Sequence, residues 1–204
     1  MIKKTTKRTE KFQEILNSFV ATITNIEITP SFSAAIDVML RCKGKIITTG
    51  MGKAGIAMRK FSSTLCSVGF PSCYLHPGEA SHGDLGVVSK EDILFVTSTS
   101  GKTREVMEIM GLARNVGVQT IIGITSHPDS PVREQTDIVI DMGIILEAGH
   151  LGLAPTNSIL AILSLTDCLA LVASEEKGFT KEDYGKYHHS GYLGQKAKEN
   201  TKRK

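Results

Sequence analysis

The N-terminal part of the chain carries apolar residues at spacings of three and four. Between residues 9 and 25 they are Phe12, Ile15, Leu16, Phe19, Val20 and Ile23. This spacing predicts an amphipathic helix, and the stretch FSAAIDVMLRC after Pro30 repeats the pattern. Two helices, at about residues 9–42, are therefore expected before the first strand.

From residue 44 the pattern changes to short apolar runs that alternate with helical periodicity. The runs are KIITTG, SCYLH, ILFVTS, TIIGIT and IVIDM, and helical patterns such as TREVMEIMGLARNVG lie between them. Short strands in alternation with helices indicate a parallel sheet covered on both faces. The predicted fold class is therefore α/β, with a sheet core at about residues 44–175.

The last helical pattern runs from Pro155 or Thr156 to about Ser174 and is apolar on most of its circumference. Such a helix belongs in a core or in a subunit interface. The segment 176–204 is too irregular to assign to the sheet. Because no linker interrupts the pattern, the whole chain is predicted to be one domain.

Composition and charge disfavour two classes of function. The chain has 204 residues, no Trp, only 5% aromatic residues and a net charge of +3, much of it in the lysine-rich ends MIKKTTKR and KAKENTKRK. We expect solvated, partly frayed ends rather than a nucleic-acid-binding face. No signal peptide is apparent, and no apolar run reaches the roughly 18 residues of a membrane span.

The cysteine pattern predicts the compartment. Cys42, Cys66, Cys73 and Cys168 form no CxxC pair, and three of them lie in apolar or small-residue segments. We expect buried free thiols in a reducing compartment, and therefore a cytoplasmic protein.

The loop TTGMGKAG follows the first predicted strand. Its glycines Gly50, Gly52 and Gly55 allow the backbone to approach a ligand closely, and Lys53 adds a positive charge. The GxGxxG spacing is compatible with a dinucleotide site. That interpretation is disfavoured because the next strand, SCYLH, ends in histidine and not in an acidic residue.

The loop TSTSGKT follows the run ILFV. Ser98, Thr99, Ser100 and Thr103 supply hydroxyl groups where a helix begins, and the positive end of that helix favours an anion. A bound phosphate is the prediction, and the alternative is that Ser100 or Thr103 simply caps the helix. The P-loop pattern GxxxxGK[ST] cannot be aligned here, so nucleotide hydrolysis is not implied.

These motifs resemble the sugar isomerase (SIS) domain, a three-layer, flavodoxin-like or Rossmann-like fold with a five-stranded parallel sheet that binds phosphosugars. GMGKAG, HPGEASHGDLG, LEAGHLGLAPTNS and GFTKEDYGKYHHSGYLG are similar, in order, to motifs of D-arabinose 5-phosphate isomerases. The resemblance covers about residues 44–194. It implies interconversion of D-ribulose 5-phosphate and D-arabinose 5-phosphate through an enediolate, which supplies the acid sugar Kdo for lipopolysaccharide or capsule.

The resemblance assigns the catalytic positions to Lys53, Glu105, Glu147 and His188. An aldose-ketose isomerase needs a base for a carbon-bound proton, stabilisation of the enediolate and help in ring opening. Glu147 is the first choice for the base, and Lys53 could polarise the carbonyl or bind phosphate. Glu105 lies on the expected first turn of a helix, and the resemblance suggests that His188 reaches a neighbouring subunit's site.

The remaining substrate contacts are expected from Gly52, His76, His82 and Thr156. His76 and His82, with Glu79 and Asp84 nearby, have the chemistry of a transition-metal site. The isomerisation requires no metal or cofactor if Lys53 and His188 manage the charge, so an inhibitory zinc site at His82 is the more plausible metal site.

The resemblance further implies a single SIS domain without CBS domains, assembled as a homotetramer. Three departures from the family pattern, Ala54, Lys102 and Ser190, leave other functions open. These are a non-catalytic phosphosugar-binding or sensing module, and an SIS isomerase for another sugar phosphate, such as a hexulose or sedoheptulose phosphate. A further hypothesis is that CMP-Kdo binds as a feedback ligand, with Lys102 beside the anion.

Overall fold

Five short apolar runs form one parallel sheet in the computed structural model, which describes residues 2–192, 194 and 196. Its order is β2-β1-β3-β4-β5, so the predicted five-stranded parallel sheet is confirmed. The strands are β1 (Ile46–Gly50), β2 (Ser72–Tyr74), β3 (Ile93–Thr97), β4 (Thr120–Thr125) and β5 (Ile138–Asp141).

Helices cover both faces of the sheet. One apolar cluster joins α2, α3 and α7 to one face, with Phe61 and Leu165 in it, and a second joins α5 to the other face through Val106 and Met110. The helices are α1 (Ile2–Thr24), α2 (Pro30–Arg41), α3 (Gly52–Ser67), α4 (Pro77–Ala80), α5 (Arg104–Val116), α6 (Pro131–Gln135), α7 (Asn157–Glu176) and α8 (Lys181–Tyr187), with a 3-10 turn at Asp84–Val87. The result is the predicted three-layer arrangement.

The strand order reverses between β1 and β3. After β1 the chain goes to β2 on one side, whereas β3 continues to β4 on the other. In a parallel sheet, the loops at such a reversal diverge and leave a crevice at the carboxyl ends of the strands, where ligands bind. The two loops singled out in the sequence leave β1 and β3 at this point.

Helices α3 and α7 run side by side in the same direction. The Lys60 ammonium pairs with the Asp167 carboxylate, and further along the Lys177 ammonium donates to the Gly69 carbonyl at 2.5 Å. Both helices therefore begin at the edge of the sheet where the strands end. This parallel packing brings the segment before α7 to the same edge as Lys53.

Three expectations about helices were wrong. Helix α1 starts at Ile2 and not near residue 9, and the segment after Glu176 includes α8. Contrary to the expectation that no apolar run reaches the length of a membrane span, helix α7 has that length and hydropathy, and more than half of it is buried within the chain. It packs on α1, α2 and α3, which makes it a core helix of the α/β fold. The basic tail at residues 197–204 lies outside the described residues.

The prediction of buried cysteines was wrong, because none of the four is fully buried. Cys66 and Cys168 are exposed, whereas Cys42 and Cys73 are half-buried, and all four are free thiols. Cys66 and Cys168 lie on the outward faces of α3 and α7, where small neighbouring residues do not imply burial. Desolvation raises the pKa of the Cys42 and Cys73 thiols, which makes them weaker nucleophiles.

Asp92 connects the amino ends of β1 and β3. Its side chain is buried and accepts hydrogen bonds from the amides of Lys45 (2.7 Å) and Ser89 (2.8 Å), and the Lys45 ammonium lies 3.1 Å away. Burial acts to raise the pKa of this carboxyl group, but the hydrogen bonds from Lys45 and Ser89 prevail and lower it.

We expect Asp92→Asn to reduce the free energy of unfolding by about 2 kcal/mol at pH 7, because hydrogen bonds to a buried charge are lost. A carboxyl group with a lowered folded-state pKa stabilises the fold above its unfolded-state pKa of about 4, and this contribution is lost as the pH falls towards the lowered value. The difference between the variant and the original chain should therefore shrink below about pH 4.

Urea denaturation at pH 7 and pH 3 would measure this difference. Asp37→Asn, at an exposed position of α2, is the matched control and should leave stability unchanged. An equal loss for Asp92→Asn at both pH values would contradict the assignment.

Candidate active site at the carboxyl ends of the strands

The turn that carries Lys53 has exposed residues at Gly52 and Lys53 and a closely packed residue at Gly55. Gly52 has a φ of +58° and is the first residue of α3, and Lys53 is exposed beside it. A Cβ atom on Gly55 would lie 2.3 Å from the Gly50 carbonyl oxygen, so the third glycine of the motif allows α3 to pack against β1. The glycine spacing is thus explained by packing and requires no dinucleotide.

Residues 98–103, which we call the phosphate loop after the predicted ligand, lie directly beside this turn because Gly50 pairs with Thr97 in the sheet. The Ser98 and Thr103 hydroxyl oxygens are 2.8 Å apart, and the Gly101 amide donates to the Ser98 carbonyl at 3.0 Å. Thr103 is the N-cap residue of α5, but its side chain accepts no bond from a described helix amide. The capping alternative therefore does not describe this loop, and the first amides of α5 stay available to an anion.

Glu105 lies in the first turn of α5, as expected. Its side chain is half-buried and makes no ion pair with any described residue. Lys53, on the neighbouring helix start, is likewise without an ion-pair partner in the described part of the chain. The Glu105 carboxylate and the Lys53 ammonium are therefore available to act on a ligand in the crevice.

Glu147 is held at the amino end of α7. Its Oε2 atom accepts from the Thr156 amide at 2.8 Å and from the Ser158 amide at 3.3 Å, and the Ser158 hydroxyl donates to Oε1. A carboxylate at this position satisfies helix amides that would otherwise lack acceptors. Glu147 also lines a groove of about 480 Å³ between α1 and residues 142–149.

Thr156, expected to contact substrate, uses its hydroxyl within the protein. The hydroxyl donates to Glu147 Oε2 at 3.3 Å and accepts from the Ala148 amide at 3.2 Å. Its role in a substrate complex stays a prediction, but here Thr156 orients Glu147. The neighbouring Ser158, which the sequence did not single out, has the same task.

His188 lies far from Lys53 within one chain. The His188 ring stacks on Tyr184 with a centroid distance of 3.8 Å, directly after α8. Phe179, before α8, packs against Gly69 beyond the carboxyl end of α3. Since α3 has 16 residues, about 24 Å of helix separates this end from the Lys53 end.

The two histidines of HPGEASHGDLG differ in their surroundings. His76 is half-buried two residues after the end of β2, and its Nδ1 atom is buried without a hydrogen-bond partner among the described residues. His82 is exposed. No cluster of three or more metal-ligating side chains occurs in the part of the chain that the structure describes. The inhibitory zinc site at His82 stays a prediction.

Sequence reasoning missed the loop after β4. Ser126 and His127 follow that strand directly, and both contact the Thr99 carbonyl of the phosphate loop. The available signal was the same as for the other loops, a serine and a histidine at the end of an apolar run. Because β4 lies next to β3 in the sheet, the loop after β4 necessarily lies next to residues 98–103.

Comparison with known proteins identifies relatives of known activity. Arabinose 5-phosphate isomerase KdsD of Pseudomonas aeruginosa is 39% identical over 165 residues, which is 81% of this chain and 50% of the relative. KdsD of Escherichia coli K12 is 40% identical over 169 residues, 83% of this chain and 51% of the relative. The chain therefore spans about half the length of these curated relatives.

Solved structures match over nearly their whole length. A proposed phosphosugar isomerase involved in capsule formation from Bacteroides fragilis has a TM-score of 0.88 and 39% identity, covering 91% of this chain and 99% of that one. The E. coli CFT073 protein c3406, solved in complex with arabinose 5-phosphate, has a TM-score of 0.85 and 34% identity, covering 90% of this chain and 98% of that one.

The SIS-domain family model matches residues 39–172, which span β1 to β5 and most of α7. This match includes both loops at the sheet reversal and the segment with Glu147. The chain belongs to the SIS-domain family.

Proposed function

We propose that this chain is an aldose-ketose isomerase that interconverts D-ribulose 5-phosphate and D-arabinose 5-phosphate. The observation that carries the proposal is the convergence of a phosphate loop, Lys53 and the start of α7, with Glu147, at one edge of the sheet. The KdsD relatives and the arabinose 5-phosphate complex of c3406 support this choice of sugar.

The substrate phosphate binds at the start of α5. Ser98, Thr99, Ser100 and Thr103 offer hydroxyl groups, and the first amides of the helix point the positive end of its dipole at the anion. This contact holds carbon 5 of the sugar. Carbons 1 and 2 then extend along the crevice towards Lys53 and the start of α7.

Isomerisation proceeds through an enediolate. A carboxylate, which we assign to Glu147, removes the proton from carbon 1 of the ketose and a proton returns to carbon 2. The Lys53 ammonium stabilises the negative charge that develops on the carbonyl oxygen. Glu105, half-buried in the first turn of α5, is the second acid-base group.

His188 acts on the site of a neighbouring subunit in this proposal, and the assembly is a homotetramer. Its distance from Lys53 within one chain supports an assignment between subunits. Apolar side chains of α1 and of the segment after β5 are exposed, as in a surface that a second copy covers. They are Phe12, Leu16, Val20, Ile23, Ile144, Leu146, Leu151 and Leu153.

The proposal extends to the pathway and its control. The product supplies Kdo for lipopolysaccharide or capsule, in the cytoplasm, where the exposed thiols of Cys66 and Cys168 stay reduced. CMP-Kdo is the proposed feedback ligand, and exposed Lys102 beside the phosphate loop supports a second anionic contact.

The deciding experiment follows purified protein and D-ribulose 5-phosphate by proton NMR in deuterated water, with chelator present. D-Arabinose 5-phosphate carrying deuterium at carbon 2 is the expected product, because the enediolate takes its new proton from solvent. A chain that is stabilised against heat by phosphosugars but converts none would instead be a binding module. Turnover of a different sugar phosphate only would keep the isomerase class and overturn the substrate.

A further inference from the structure

Ser126 contacts both sides of the candidate site. It is 1% exposed, and its amide donates to the Thr99 carbonyl of the phosphate loop at 3.1 Å. Its hydroxyl donates to the Gly143 carbonyl at 2.6 Å and accepts from the Ile145 amide at 3.1 Å. Gly143 and Ile145 belong to the segment that leads to Glu147, so one buried residue joins this segment to the phosphate loop.

The His127 ring contacts the phosphate loop. Its Nδ1 atom lies 3.2 Å from the Thr99 carbonyl oxygen, and since a carbonyl can only accept, Nδ1 carries the hydrogen. The backbone of His127 is fixed in turn, because its carbonyl accepts from Arg133 Nε at 2.7 Å. The Arg133 guanidinium is itself paired with Asp141 at the end of β5, at 2.8 Å.

The Thr99 carbonyl controls a neighbouring amide. In a trans peptide the C=O and N–H bonds point in opposite directions, so fixing this carbonyl towards the β4 loop turns the Ser100 amide away from that loop. The orientation of one amide in the phosphate loop therefore depends on the donors that Ser126 and His127 supply, together with the Thr125 hydroxyl, which donates to the same carbonyl at 3.4 Å.

We propose that Ser126 and His127 are positioning residues with separate tasks. The Ser126 hydroxyl holds the segment that carries Glu147, and the His127 ring holds the phosphate loop in its anion-binding form. The kinetic part of this inference rests on the proposed isomerase function, whereas its structural part does not.

The two tasks can be separated by substitution. Ser126→Ala removes the hydrogen bonds to Gly143 and Ile145 but keeps the backbone bond to Thr99. It should therefore disturb the position of Glu147 and leave the binding of phosphate unchanged. His127→Ala removes a donor to Thr99 and leaves the Glu147 segment intact, so it should weaken the binding of phosphate.

Steady-state kinetics, calorimetric titration with inorganic phosphate and hydrogen exchange of the Ile145 amide test this division. For Ser126→Ala we expect kcat to fall about tenfold, faster exchange at Ile145 and a Kd for phosphate within about twofold. For His127→Ala we expect the Kd for phosphate and the KM to rise about tenfold, with kcat within about threefold.

Conservative variants provide the matched controls. The Asn side-chain amide can donate from about the position of Nδ1, so His127→Asn should restore phosphate affinity, whereas His127→Gln, whose amide reaches the Nε2 position, should not. If Ser126→Ala does not fold, Ser126→Cys keeps a side chain of similar size with a weak donor and should show the same split.

The inference is overturned if either variant lowers kcat and phosphate affinity together, or if His127→Gln restores binding as well as His127→Asn. If the original chain shows no isomerase activity, the proposed function fails. Phosphate affinity and exchange at Ile145 then still decide whether these two residues position the loops.

Discussion

Replacing Glu147 by glutamine is expected to lower kcat by a factor of about one hundred to ten thousand, the usual contribution of a general base. The amide cannot take a proton from carbon, yet its oxygen can still accept from the Thr156 or Ser158 amide. The fold should therefore persist, with KM changed much less than kcat. Initial rates over a range of ribulose 5-phosphate concentrations, together with thermal melts, measure both quantities.

Glu108→Gln is the matched control for this experiment. Glu108 is exposed on α5, one helical turn after Glu105. Its replacement should leave kcat and melting temperature unchanged. If Glu147→Gln retained kcat within tenfold, the base would have to be another group, and Glu105→Gln would be the next variant to measure.

Replacing Gly101 by alanine is expected to abolish phosphate binding and to destabilise the fold by at least about 2 kcal/mol. Gly101 has a φ of +65°, which L-residues adopt at a cost of about 1–2 kcal/mol. A Cβ atom there would also lie 1.5 Å from the Ser130 hydroxyl oxygen. Urea denaturation and titration with inorganic phosphate measure the two effects.

Two further variants separate the steric from the conformational cost. Gly111→Ala is the control, because Gly111 lies within α5 and a Cβ atom there would meet open space. This variant should raise the free energy of unfolding by about 0.5–1 kcal/mol. The double variant Gly101→Ala with Ser130→Gly removes the steric overlap and should recover part of the stability. Normal phosphate affinity in Gly101→Ala alone would rule out residues 98–103 as the phosphate site.

The loops at the sheet edge were predictable because each follows an apolar run directly. The run before Ser98 is a buried parallel strand, and such strands contain long stretches of apolar residues that are visible in the sequence. Parallel strands end at the same edge, so the loop with Lys53 and the loop with Ser98 had to lie near each other once β1 and β3 proved to be neighbours. The resemblance to SIS-domain isomerases supplied the roles that the pattern alone left open.

Other features were not predictable for physical reasons. The exposure of Cys66 depends on which side of α3 faces the sheet, and small residues on both sides leave that undetermined. The bonds that Glu147 makes to Thr156 and Ser158 depend on the path of an irregular segment without periodicity. The basic start of the chain suggested a frayed end, but α1 includes it, because a helix can continue where the periodic apolar residues are missing.

The sequence by itself determined the α/β class, the positions of the strands and the chemistry of the two loops, since local periodicity and residue type fix these properties. Only the tertiary structure decided that β1 and β3 are neighbours, that α7 begins beside α3, and that Ser126 and His127 join the phosphate loop to its surroundings. Those relations depend on contacts between residues far apart in the chain. No pattern within a single segment encodes them, because they arise when the sheet and its two helical layers pack together.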